Sequence, residues 1–365
     1  MMINPVKSLK ILSGAAFIAS AVIVPSPVQA VDFKGKKIEI IVPSKEGSGS
    51  DTYVRLFAPY MEKFLPGNPA ILVRNVPGGA LVKGSNRFEQ RAKPDGLTLL
   101  SMSTSTFVSF LFGGKKIEYD PRGWRAVMVS PLGTAVYAHP KTGAKGKDIV
   151  ADLKALKKSE LIFGAKAALA GESRILIMYE MLGLNVKSIF GVEKGVSRKA
   201  MMRGEFTLGY DSMSGYIKHA KPMIERGEAV PLFSMGYAEG DKIVRDPLLK
   251  DLPHFAEAYE KLTGKKPEGP AWDTLKNFIF MAVSASKSIV LPKGTPQEIV
   301  DIYVKVFKDM NNDPAFAKLA KKQLGGYPQI YGADGDAVIR NAVNFKPEAR
   351  AWFKAFMKRK YDVNI

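Results

Sequence analysis

Short runs rich in Ile, Val, Leu and Phe alternate with amphipathic stretches along most of this chain, and that alternation restricts the fold to βα units around sheets covered by helices. Strands are predicted at 37–42, 71–74, 97–102, 161–164, 207–210, 230–235 and 278–284. Helices are predicted to begin near Asp51, Gly79, Asp148, Ser173, Arg198, Pro253, Pro296 and Asp313, with a last one over 347–359. In the first helix Val54, Phe57, Ala58, Met61, Phe64 and Leu65 recur at helical spacing, and Pro59 predicts a kink. No internal repeat or low-complexity segment is visible in the sequence.

The first 30 residues stand apart. Lys7 and Lys10 precede the apolar run 11–24, and Val28-Gln29-Ala30 supplies a small-residue ending. A basic start, a short apolar core and such an ending predict a secretory signal peptide cut after Ala30, because 14 residues fall short of the roughly 20 needed to span a bilayer. The mature protein is therefore expected in the periplasm. The leader carries two lysines and no acid, so the remaining 335 residues keep a net charge of +17. An excess of that size points to an anionic partner: a small acid, a membrane surface or a nucleic acid. The chain has no cysteine, which excludes disulfides, thiolate metal sites and cysteine nucleophiles, and its three histidines are too far apart for a zinc motif. No cofactor or metal is expected.

A mature chain of this length exceeds what one core usually supports, yet no Ser/Gly/Pro-rich linker divides it. Two lobes joined by more than one crossing of the chain need no linker. The expected division is lobe 1 over 31–132, lobe 2 over 133–242, and a return to lobe 1 over 243–365, with crossings near 131–136 and 237–244. In open α/β sheets ligands sit beyond the carboxyl ends of strands, which directs attention to the cleft.

The strongest local signal is the strand IEIIV followed by Gly47-Ser48-Gly49-Ser50 and a helix. Glycines allow backbone amides to turn inward, serines add hydroxyl donors, and a helix start adds partial positive charge, so a carboxylate or phosphate fits there. Asp51 reads as the N-cap of that helix. The segment matches neither a Walker loop, having no lysine after the glycines, nor a dinucleotide fingerprint, since Thr52 stands where a third glycine belongs. Ser103, Thr104 and Ser105 form a second hydroxyl-rich strand end, able to bind a carboxylate or cap the next helix. Further strand ends lead into 165–174, with Ala168, Gly171 and Ser173, and into Tyr210-Asp211-Ser212. Lys45, Lys166 and Arg174 flank these loops as possible charge partners. Tyr53, Phe107, Tyr137 and Tyr210 suit either an aromatic-acid pocket or the core.

Taken together, these stretches resemble the Bug, or TctC-like, extracytoplasmic solute receptors of tripartite tricarboxylate transporters. The similar segments are VPSKEGSGSDTYVRLFAP, VRNVPGGALVKGSNRFEQRAKPDGLTLLSMSTST with its PDGLTLL, LIFGAKAALAGES, MRGEFTLGYDS, AVPLFSMG and VLPKGTPQEIVDIYVKVF. The resemblance implies an α/β, two-lobed, type II Venus-flytrap protein with a mostly parallel sheet in each lobe. It also implies capture of a small organic acid, whether a di- or tricarboxylate or an aromatic carboxylate, and delivery to membrane transporter subunits, without catalysis. By position the ligand contacts would be Ser48, Gly49, Ser50 and Asp51, then Ser103, Thr104 and Ser105, and from the other lobe Ala168, Gly171, Ser173 and Asp211. The chain departs from the family pattern at Ser44, Lys45 and Glu46, where an aromatic is usual, and at 166–170, where less Gly and Ser predicts a more apolar far wall.

Two other classes fit less well. An exported hydrolase acting on a small anionic substrate is the alternative, but no G-x-S-x-G pentapeptide occurs. A nucleic-acid binder would need a basic module, whereas Lys and Arg are dispersed apart from short clusters such as Lys321-Lys322 and Lys358-Arg359-Lys360, so no nucleic-acid partner is expected.

Overall fold

The computed structural model describes residues 1–2, 31–239 and 242–365. The leader through Ala30 lies outside the described residues apart from its first two, and Asp32–Ile365 forms one compact unit. Its strands, in chain order, are β1 (Lys37–Val42), β2 (Ala70–Asn75), β3 (Thr98–Ser103), β4 (Arg125–Ser130), β5 (Thr134–Ala138), β6 (Leu161–Gly164), β7 (Val186–Ile189), β8 (Leu208–Ser212), β9 (Val230–Ser234), the hairpin β10 (Tyr237–Glu239) and β11 (Lys242–Val244), then β12 (Lys287–Leu291) and β13 (Ile330–Tyr331).

These strands form two main sheets, ordered β13-β4-β12-β3-β1-β2 and β7-β6-β8-β5-β9. The two share one plan. Each places its second, first and third strands side by side, then a strand inserted after a crossing of the chain, then its fourth. In the larger sheet β1 runs parallel to β2 and β3, while β12 is antiparallel to both β3 and β4. In the smaller sheet β6 runs parallel to β7 and β8, while β5 is antiparallel to β8 and β9. Four strands of each sheet therefore run the same way, and both sheets are mixed because each inserted strand enters from the opposite end. That repeated plan leaves no trace as a sequence repeat.

Helices cover both sheets. The first six are α1 (Gly49–Phe64), α2 (Val82–Arg91), α3 (Thr104–Phe112), α4 (Ile149–Lys157), α5 (Ser173–Met181) and α6 (Lys194–Met202), of which α1, α3, α5 and α6 supply residues to the site. Helix α1 buries Tyr53, Val54, Phe57 and Met61, and Phe57 meets Phe307 and Phe316 from two later helices at centroid distances of 5.6 and 5.4 Å. Each such side chain contributes about 1.5–3 kcal/mol by leaving water, enough to hold the start of α1 firmly against the sheet. The helix continues through Pro59. The segment 278–284, predicted as a strand, instead ends the helix Gly269–Ile279 and its following π turn Phe280–Ser284. Its unbroken apolar run is what a fully buried helix and a fully buried strand have in common, and the strand begins three residues later, at Lys287.

Candidate functional site

The carboxyl ends of β1, β3, β6 and β8 converge on one cavity of about 80 Å³ between the two sheets. Because β12 is antiparallel to its neighbours, its first residue, Lys287, arrives at the same rim and pairs in register with Ser103 and Ser130. Ser44, Ser48, Gly49 and Ser50 line the cavity from the end of β1, and Ser103, Thr104 and Ser105 from the end of β3. Across it stand Lys166, Gly171, Glu172 and Arg174, then Lys194 and Arg198 on α6, and Tyr210, Asp211 and Ser212 on β8.

Local hydrogen bonds fix the two hydroxyl loops. Ser48, not Asp51, is the N-cap of α1: its Oγ accepts from the Asp51 amide at 3.2 Å and lies 2.6 Å from Ser44 Oγ. Asp51 turns away from the cavity, accepting from the Gly47 amide at 2.9 Å, Asn75 Nδ2 at 3.0 Å and Arg55 Nε at 2.9 Å. Ser103 caps α3 in a reciprocal arrangement with Thr106. Ser105 reaches the opposite sheet, where its Oγ accepts from the Gly171 amide at 2.9 Å and from Lys166 Nζ at 3.4 Å. An added Cβ on Gly49 would lie 3.8 Å from Ser212 Oγ and 3.9 Å from Ser214 Oγ, so the start of α1 also faces the end of β8 closely.

The far wall is ionic, which overturns the more apolar wall predicted from 166–170. Arg198 forks onto Asp211 at 2.5 and 3.1 Å, and Tyr137 donates to the same carboxylate at 2.8 Å. Burial works to raise the Asp211 carboxyl, but Arg198, Lys194 and the Tyr137 hydroxyl together outweigh it and hold it below its usual range. Glu172 behaves alike: burial is outweighed by Lys166 and Lys194, and its Oε1 accepts from Tyr210 at 2.8 Å. Lys194 donates to the Tyr210 carbonyl at 3.0 Å and sits 3.4 Å above the centre of that ring. Arg174 bonds the Gly171 carbonyl and leaves its Nε unpartnered. Burial lowers both Lys194 and Lys287 to about 7, with Lys166 and Arg174 adding to the effect at Lys287. Five cations thus face three carboxylates, Glu172, Glu193 and Asp211.

Of the residues singled out in the sequence, the structure brings Ser48, Gly49, Ser50, Ser103, Thr104, Ser105, Gly171, Asp211, Lys166 and Arg174 to this cavity. It does not bring Lys45, which is exposed, or Asp51. Nor does it bring Ala168 and Ser173: the Ser173 hydroxyl turns inward to the carbonyls of Ala168 and Ala170 at 2.7 and 2.8 Å. Among the four aromatics Tyr210 lines the cavity, while Tyr53, Phe107 and Tyr137 are buried in the core. Lys287, Lys194, Arg198 and Glu172 were not singled out. Leu81 was not either, although the glycines of Val76-Pro77-Gly78-Gly79 mark its loop. Ala80 and Leu81 both adopt positive φ, 53° and 82°, and that strained turn delivers Leu81 to the cavity rim.

Two sheets of the same plan, each with one inserted strand, enclose a polar cavity and give the chain the two-lobed α/β fold seen in periplasmic binding proteins. Comparison with known proteins finds the same fold elsewhere. No protein-family model matches the chain. A UPF0065 protein of Bordetella bronchiseptica is 24% identical over 335 residues, covering 90% of this chain and 87% of that protein. Among solved structures, periplasmic binding protein BugD superimposes with a TM-score of 0.63 at 21% identity, over 88% of this chain and 97% of that one. MatC from Rhodopseudomonas palustris with bound malate gives 0.63 at 19% identity, over 87% and 97%. A second R. palustris protein, Rpa4515 with adipate, gives 0.65 at 16% identity, over 90% and 98%. These solved structures share the chain's fold over 87–90% of its length.

Proposed function

We propose that this chain is an exported receptor that captures a small organic carboxylate between its two lobes and passes it to a tripartite-type membrane transporter, without chemical turnover. The observation that carries this reading is the cavity itself. Hydroxyls and helix starts from one sheet oppose a cationic wall from the other, and Ser105 already bonds across it. Charge-assisted hydrogen bonds from such donors suit a carboxylate. The malate and adipate held by MatC and Rpa4515 support the same ligand chemistry, and the leader read from the sequence supports a periplasmic location.

In this reading the lobes are 31–132 with 243–365, and 133–242. The larger sheet draws its strands from residues 37–130 and 287–331 and the smaller from 134–234, which supports that division. Closure is driven by contacts the ligand makes with both lobes only in the closed state. The lobes would turn about 131–136 and the β10–β11 segment.

Thermal unfolding tests the reading. The mature protein, refolded to strip resident ligand, is scanned against organic acids, amino acids, sugars and short oligonucleotides. A ligand at 100 times its Kd adds about 2.7 kcal/mol of stability, a rise of about 4 °C for a protein of this size. A rise confined to carboxylates is the expected result. No rise with any acid would sink the proposal.

A further inference from the structure

The floor of the cavity holds a cation with little to hold it. Lys287 is 8% exposed, and its ammonium, with three protons to donate, has one hydrogen-bond partner, Ser50 Oγ at 3.0 Å. The charged groups that face it are Lys166 and Arg174 from the β6–α5 side, Glu172 beside them and Asp211 on β8, while Ser103 and Ser130 flank it in the sheet. Asp211 is already committed to Arg198 and Tyr137. Among the described residues no carboxylate forms an ion pair with Lys287, Lys166 or Arg174, and the Arg174 Nε, on a side chain 4% exposed, has no partner at all. A buried charge without a counter-charge is costly. Here several converge on one enclosed space, so the missing counter-charge belongs to the ligand, and one negative charge does not balance them.

We infer that the captured ligand carries at least two negative charges, and that Lys287 reads the second of them and so separates dianions from monocarboxylates. The inference rests on the carboxylate-receptor reading above and narrows it. Lys166, Gly171 and Ser105 meet at one side of the cavity, whereas Lys287 and Ser50 lie at the floor where α1 begins. A ligand with one charged group satisfies one of these places. A ligand with oxyanion groups at both ends satisfies both and supplies the contact across the cleft that closure needs. The second group is an oxyanion, either carboxylate or phosphonate, and the ammonium with its neighbouring hydroxyl suits both.

Calorimetric titration of wild type and Lys287→Met with matched acids decides the matter: succinate against butyrate, adipate against hexanoate, and 3-phosphonopropionate against propionate. Wild type is expected to bind its best dianion at least about tenfold more tightly than the matched monoanion, the scale of one hydrogen bond to a charged group. Lys287→Met should lose most of that ratio, and Lys287→Arg should keep it. The first and third pairs show whether the second group is carboxylate or phosphonate. Wild type alone supplies a second readout should the variants not fold. Repeating the dianion titration at pH 7.5 in buffers of different ionisation enthalpy should show uptake of up to about one proton per chain. A monoanion bound as tightly as its dianion, a ratio unchanged in Lys287→Met, or dianion binding without proton uptake would each overturn the inference and leave the receptor reading standing. Failure of every acid, here and in the thermal scan, would instead remove the receptor reading.

Discussion

An ammonium buried among other cations destabilises the ligand-free fold, and at Lys287 the size and pH window of that effect follow from its position. Burial and the neighbouring Lys166 and Arg174 bring its pKa down to about 7, while in the unfolded chain it stays in the ordinary lysine range. Between those two values the unfolded state holds a proton that the folded state has lost, so this group's destabilisation is full below about pH 7 and fades as pH rises towards the ordinary lysine range. Lys287→Met, which removes the charge at similar volume, is therefore expected to raise stability by about 2 kcal/mol near neutral pH. The gain over wild type should shrink steadily towards pH 10, as urea unfolding of both proteins at pH 6.5, 8 and 9.5 would show. A gain that grows with pH would contradict the assignment. Affinity for a dianion should run the opposite way, falling as pH rises through 7. Residues of this kind were invisible in the sequence. The hydroxyl loops were legible because a strand, a Gly/Ser turn and a helix start form one local pattern, as at Ser48, Gly49 and Ser50. In a chain with 54 Lys and Arg, nothing local marks Lys287, Lys194 or Arg198 as the ones that tertiary structure turns inward.

The inserted strands, β5 and β12, set the geometry of the cleft, and β5 is entered through a tightly packed turn. Gly133 lies at that turn, just before β5. A Cβ there would lie 1.5 Å from Asp246 Oδ2 and 2.7 Å from the Tyr327 hydroxyl, and that hydroxyl already donates to Asp246 Oδ1 at 2.6 Å. Burial raises the Asp246 carboxyl, so the pair has little freedom to move into water. Gly133→Ala must displace a buried carboxyl and is expected to cost about 3 kcal/mol, measured as a lower midpoint in urea with an unchanged slope. A neutral substitution would show that this turn is looser than its packing indicates. At this scale the sequence revealed β1, β2, β3, β6, β8 and β9. It concealed β4 and β5, and it confused the buried helix end at 278–284 with β12, because complete burial removes the periodicity that distinguishes helix from strand.

As a whole, the molecule is two sheets of one plan, each with its own inserted strand, that meet over a polar cavity. The two-lobed organisation could be anticipated from the missing linker and the many βα units, but the mixed direction of each sheet could not, since strand direction depends on which end the chain enters after a crossing. The strand ends pointed to the cleft, whereas its electrostatic character became visible only once distant cations were brought together. Contacts across the cleft join Ser105 to Gly171 and Lys166. They describe a closed arrangement that an anion between the sheets would stabilise further. Gly49 offers a way to block that space without disturbing the fold. It lies at the first position of α1, has no positive φ, and a Cβ there meets nothing nearer than 3.8 Å, so a larger side chain would extend into the cavity.

The most direct test is therefore a calorimetric titration of refolded wild type and Gly49→Trp with malate, succinate, adipate and citrate. The expected result is saturable binding of at least one of these acids to wild type, one molecule per chain, and its loss in a Gly49→Trp protein that unfolds as cooperatively as wild type. No heat with any of the four acids, or undiminished affinity in the filled variant, would contradict the claim that this cavity is where the protein captures its ligand.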